Sequence, residues 1–102
     1  MRFRFLPGAR ADLLAARRWY DEQAPGLGQE LGLVVREALA RIMAMPLAHP
    51  PWPGIDASLG VRRKVMQRFP YAIAYYLEDG AVIVAAVAHT SRSPRYWLDR
   101  LR

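Results

Sequence analysis

Residues 87–97, VAHTSRSPRYW, gather His89, Arg92, Arg95 and Tyr96 into one short stretch. Histidine, with an ordinary pKa of about 6.5, gives and takes protons close to neutrality. A guanidinium three residues further on offers two parallel hydrogen bonds in the geometry a phosphate accepts. His89 and Arg92 together therefore suit proton transfer beside a bound anion. The same side chains also have purely structural uses. A histidine at a strand end caps carbonyls, Arg92 bonds to loop carbonyls or pairs with Asp99, and Tyr96 and Trp97 seal a helix against a sheet.

The charge distribution favours an anionic partner. The chain of 102 residues carries 15 Lys+Arg against 9 Asp+Glu, a net charge of +6. Five of those six charges fall in residues 61–102, which hold Arg62, Arg63, Lys64, Arg68, Arg92, Arg95, Arg100 and Arg102 against Glu78, Asp79 and Asp99. Basicity concentrated in one half of a small domain points to nucleic acid or an acidic protein segment; its other use is solubility.

Composition bounds the remaining classes. At 53% hydrophobic and 24% charged residues the chain is an ordinary globular protein and not a disordered one. Its length suits a single domain spanning residues 1–102. Cysteine is absent, which excludes disulfides, thiolate nucleophiles and zinc–cysteine sites, and a cytoplasmic location is expected. The opening MRFRFLPG has no long apolar stretch and the longest apolar run, residues 81–88, is too short for a bilayer, so no leader or membrane contact is expected. No metal-ligand cluster or glycine-rich phosphate loop is present in the sequence, and no cofactor or metal is expected. His49, among prolines and apolar residues, reads as structural.

The elements that must position the 87–97 stretch follow from periodicity. RFRFL (2–6) alternates and reads as a strand with Phe3 and Phe5 on one face, ended by Pro7-Gly8. Residues 9–23 place Leu13, Ala16 and Tyr20 at helical spacing until Pro25-Gly26, and Trp19 and Tyr20 read as packing residues. Leu27, Leu31, Val34, Val35, Ala38, Ile42 and Met45 then mark a second helix, ended by Pro46. A loop this short makes the two helices an antiparallel hairpin. Residues 46–60 hold four prolines and read as an irregular connector that Trp52 pins to the body. VRRKVMQR (61–68) alternates as a strand with a basic outer face. YAIAYYL and AVIVAAVA flank Glu78-Asp79-Gly80, where Asp-Gly favours a tight hairpin turn, and the second strand is apolar on both faces. Asp21-Glu22 and Glu78-Asp79 are expected to be solvated. Ser93 as N-cap with Pro94 at the first helical position predicts a short helix to about Leu101. The fold class is α+β, in the order β-α-α-β-β-β-α: a small, antiparallel-rich sheet with the helical hairpin on one face and the other face open to partners.

The stretches WYDEQAPGLG (19–28), VRRKVMQRFPYAIAYY (61–76) and VAAVAHTSRSPRYWLDR (84–100) resemble the RelE/ParE superfamily of bacterial toxins over nearly the whole chain. RFPY…YY and HTSRSPRYW are the most specific parts. The resemblance implies the toxin of a type II toxin–antitoxin pair, with a cognate antitoxin as partner in a hetero-oligomer. RelE-like members cut messenger RNA on the ribosome, whereas ParE-like members are associated with poisoning DNA gyrase. By this resemblance Tyr96 stands at the family's C-terminal tyrosine, but Ala72 and Thr90 occupy positions where RelE-like toxins carry arginine. That places the chain nearer ParE-like toxins. The alternatives are a RelE-like endoribonuclease with His89 as base, Arg92 as phosphate clamp and Tyr96 as acid or 2′-oxygen contact, and a non-toxic nucleic-acid-binding module. Arg62, Arg63, Lys64, Arg68 and Arg95 are the expected contacts to a target or nucleic acid.

Overall fold

The computed structural model of the protein describes residues 1–101; Arg102, the last of the cations counted above, lies outside the described residues. In chain order the elements are β1 (Arg2–Phe5), α1 (Pro7–Gln23), α2 (Leu27–Ala44), a 3₁₀ turn (Ala57–Leu59), β2 (Arg62–Val65), β3 (Tyr71–Glu78), β4 (Ala81–His89), α3 (Arg95–Leu98) and a closing 3₁₀ turn (Asp99–Leu101). The class is α+β in the expected order. The connector, expected to be irregular, contributes its own 3₁₀ turn and a bridge between Pro51 and Arg62.

Pro7 ends β1 by starting α1 two residues earlier than expected. It occupies the first turn of the helix, where its missing N–H costs nothing because that donor has no intrahelical partner. The turn into α2 uses Gly26 at φ 89°, and the hairpin closes tightly at Gly28. Its N–H donates to the Asp21 carboxylate at 2.8 Å, and an added Cβ would run into the Arg17 carbonyl and the same carboxylate. Asp21 is exposed, as expected, and its carboxylate also serves as a structural acceptor at the helix junction. At the β3–β4 turn Asp79 and Gly80 have φ of 51° and 73°, as a hairpin with positive φ at both central residues requires.

The four strands form one sheet in the order β1-β4-β3-β2, with β1 parallel to β4 and the other pairs antiparallel. β1 pairs with β4 only from Ala81 to Val84, and Leu6 adds one bond to the Val84 carbonyl before the chain turns into α1. The β3–β4 register slips at that same level: Ala74 faces Ala86 and Tyr75 faces Val84, so Ala85 is an extra residue. Beyond it β4 has β3 on one side and no strand on the other.

The helical hairpin covers one face. Leu31, Val35, Ala38, Leu39 and Ile42 of α2 pack on Ile73, Tyr75, Val82, Val84 and Val87. The bulge lets Val84 and Val87, three apart, both face the helices. The opposite face is not open, which corrects the expectation. Trp97, fully buried, lies with Val61, Ala74, Ala86 and Ala88, and Trp52, Ile55, Leu98 and Leu101 pack around it. Small alanines on this face leave the depth that an indole fills. Trp52 meets Trp97 edge-on at 5.1 Å, so the connector and the C-terminal segment cover the face together. The C-terminal helix also starts differently from expectation. Pro94 takes the cap position, and Ser93 Oγ accepts the Arg95 N–H at 3.3 Å in a turn just before it. Among the described residues no helix is long and apolar enough to cross a membrane.

Candidate functional site

The cations expected to form one basic flank are distributed over several surfaces. Alternation along β2 sends Arg62 and Lys64, paired with Tyr75 and Ile73, to the helix side, and Arg63, paired with Ala74, to the other. Arg62 Nη1 donates to the His49 carbonyl at 2.7 Å and the Leu47 carbonyl at 3.3 Å, tying down the connector. Arg63 lies over the Trp52 ring at 5.7 Å. Arg68 pairs with Glu30 at 2.8 Å, and Lys64 lines the groove beside that pair. His49 stacks edge-on with Tyr75, whose hydroxyl donates to the Pro46 carbonyl at 2.6 Å. The gathering predicted from sequence alternation fails because the pleat sends successive β2 cations to opposite faces, where Arg62 and Arg63 each meet partners of their own.

At the exit of β4 three of the expected site residues lie close together in the fold. Ser91 closes on His89: its N–H donates to Nδ1 at 3.2 Å and its hydroxyl lies 2.8 Å from the same atom. With Nδ1 accepting, the neutral ring carries its proton on Nε2. The imidazole meets Tyr71 edge-on at 5.2 Å, and Tyr71 continues through Tyr20 to Phe69 and the half-exposed Trp19. Arg92 lies over the Tyr96 ring at 3.7 Å, a close cation–π contact, and both Arg92 and Arg95 are exposed. His89 contacts Ser91 and Tyr71; Arg92 contacts Tyr96 and, through its N–H, the His89 carbonyl. Thr90 is exposed with its N–H on the Pro70 carbonyl, and Ala72 is fully buried in the middle of β3.

Arg100 and Asp12, 88 residues apart, hold this corner, and sequence reasoning missed them as a pair. Arg100 grips Asp12 with Nη1 at 2.7 Å and Nη2 at 3.0 Å, and Nη1 also donates to the Ala85 carbonyl at 3.1 Å. Asp12 Oδ2 in turn accepts the Val87 N–H at 3.1 Å. These two side chains satisfy the edge of β4 where β1 has run out. The guanidinium rests on Gly8, where a Cβ would collide with it, and lies 5.1 Å from the Tyr96 ring centre. The one local signal was Asp12 itself, the single acid among five arginines in the first twenty residues.

Electrostatics at the corner follow from burial. Desolvation pushes the Tyr96 phenol up to about 12; the Asp12 charge adds to the rise, and Arg92 and Arg100 only partly oppose it. Burial also raises Tyr71. The hydrogen bonds that Arg100 donates to Asp12 raise its own pKa further. The corner thus presents neutral phenols and two exposed guanidiniums, a surface suited to aromatic stacking and to bonds with acceptors. Among the described residues no cluster of His, Cys, Asp and Glu could hold a metal ion.

Comparison with known proteins agrees with this architecture. A family model described as the ParE toxin of the type II toxin–antitoxin system parDE matches residues 3–94. No curated protein sequence matches. Among solved structures, one described as the chromosomal ParDE TA system from P. aeruginosa aligns with a TM-score of 0.74 and 17% identity, over 87% of this chain and 95% of that chain. At that identity the likeness concerns the fold.

Proposed function

This chain belongs to the ParE toxin family of type II toxin–antitoxin systems, and we propose that it works in the cytoplasm by binding DNA gyrase rather than by cutting RNA. An antitoxin is its partner. The observation that carries the reading is the use to which the cations are put. Arg62, Arg68 and Arg100 each hold a carbonyl or carboxylate of the chain itself. Cleavage of a phosphodiester needs cations converging on the pentavalent phosphorus and a group that exchanges a proton near neutrality. A phenol with a pKa of about 12 stacked under Arg92 is poorly matched to that exchange but well matched to contact. Arg92, Arg95 and Tyr96 are the contacts we assign to the target.

The antitoxin's place is supported by a groove of about 610 Å³ between β1 and α2. Phe3, Phe5, Leu33, Leu39 and Met43 supply its apolar lining, with Arg17 and Arg36 among its polar members. β1 is an edge strand with its outer side unpaired in the sheet, and Phe3 and Leu33 are exposed. An extended or helical segment carrying apolar and acidic side chains fits that surface.

The test is induction of the toxin without antitoxin, with gyrase supercoiling and RNA ends read from the same cells. Blocked supercoiling with intact messages supports the reading, and Arg92→Ala then relieves it while His89→Ala does not. Truncated messages that disappear on His89→Ala would replace it with the endoribonuclease reading.

A further inference from the structure

We propose that Asp12 and Arg100 are positioning residues for the toxic activity: they substitute for the missing strand beside β4 and so fix the orientation of Tyr96 and Arg92. The inference rests on the reading that Arg92 and Tyr96 contact the target.

Strand β4 is flanked by β1 only as far as Val84, and the bulge at Ala85 falls at the point where that support ends. A bare edge there would leave the Ala85 carbonyl and the Val87 N–H unpaired in a part-buried position, which is costly for each group. Arg100 supplies the donor and Asp12 the acceptor, at 3.1 Å in both cases. The two groups are also bound to each other through both carboxylate oxygens, so neither rotates without breaking several bonds. Side-chain exposure of 21% for Arg100 and 11% for Asp12 keeps solvent from competing strongly.

The consequence reaches the surface through stacking. Gly8 has no side chain, which lets the guanidinium sit directly on the start of α1. Tyr96 packs on Arg100, and the exposed Arg92 packs on Tyr96. A series of contacts thus runs from the inner end of α1 to a cation offered to solvent. α3 is a single turn and cannot orient its own side chains by helix rigidity. The ion pair supplies that rigidity from outside the helix.

The geometry also predicts which replacements fail. Arg100→Lys keeps the charge, but a single ammonium lacks the fork that reaches Asp12 and Ala85 together. Exchanging the two residues, Asp12→Arg with Arg100→Asp, keeps opposite charges but presents a donor to the Val87 N–H and an acceptor to the Ala85 carbonyl. If the pair were merely an ion pair the exchange would restore function; as a substitute strand it does not.

The experiment compares the parent, Arg100→Lys, Asp12→Asn and the double exchange with Arg92→Ala, using purified toxin for gyrase inhibition, antitoxin affinity, amide exchange and tyrosine titration. For Arg100→Lys we expect the concentration for half-inhibition to rise roughly tenfold while antitoxin affinity stays within about threefold. We also expect faster exchange at Val87 than at the inner β4 amides, and a Tyr96 titration moved down from about 12 toward its ordinary value. Asp12→Asn, which keeps the side chain's shape, serves the same purpose should Arg100→Lys not accumulate as folded protein. Parent potency in both single variants, or rescue by the double exchange, would overturn the inference. Full potency of Arg92→Ala would instead sink the target-contact reading on which it rests, and the exchange and titration data would still report whether the pair closes the β4 edge.

Discussion

The two faces of the sheet are covered in opposite ways. On one, two long helices lay a continuous apolar stripe on the strands, so that cover is shared among many residues such as Leu31, Val35 and Ile42. On the other, a proline-rich connector and a seven-residue tail do the same work through a few anchors: Trp97 on an alanine floor, Trp52 against it, Arg63 over the Trp52 ring and Arg100 on Asp12. Distributed cover tolerates local change; anchored cover depends on single side chains. The anchored face is also the one that carries the exposed Arg92 and Arg95, so the part of the molecule assigned to the target is the part with the fewest supports.

Removing the principal anchor should produce the largest effect. Trp97→Ala deletes a fully buried indole and is expected to cost about 3–5 kcal/mol, a large share of a domain's usual 5–15. Amide exchange should show residues 46–60 and 95–101 opening while the α1–α2 hairpin keeps its protection. Equal loss of protection on both faces would mean that they are not separable. Ile42→Ala, with a cost of about 2–5 kcal/mol, should lower protection on the helix face and serve as the matched control. A smaller effect, about 1–3 kcal/mol, is expected from Gly28→Ala, because the new methyl group meets backbone and carboxylate that cannot both move aside. Thermal melting should record that loss with gyrase inhibition per folded molecule unchanged.

The mildest probe is alkali. Tyr96 has a folded pKa of about 12 against about 10 in an unfolded chain, so its protonated form is favoured by folding. That contribution is complete below pH 10 and is lost as pH rises toward 12, and Tyr96→Phe should abolish that part of the pH dependence. Unfolding followed from pH 9 to pH 12 in both proteins checks it; identical slopes would show that Tyr96 is not buried as the anchored face requires.

Much of the molecule was legible in advance because local chemistry dictated it. The helical stripe of α2, the Asp79-Gly80 turn, the doubly apolar β4 and the breaks at Pro25-Gly26 and Pro46 depend on neighbours in the chain, and the structure follows them. The β1–β4 parallel pairing, the bulge at Ala85 and the covering of the second face were not legible, since each is settled by residues distant in sequence. Arg62, Arg68 and Arg100 were counted correctly as charges but not as partners, because a sequence records the sign of a side chain and not what it meets.

What the sequence alone determined, then, is the order of elements, the toxin-family resemblance and the cationic character of the later half, all carried by pattern within short windows. The tertiary structure decided where each cation is spent and which surface remains to meet a target. The physical reason is that hydrogen bonds and ion pairs act over a few ångströms, and only folding brings Asp12 within that distance of Arg100.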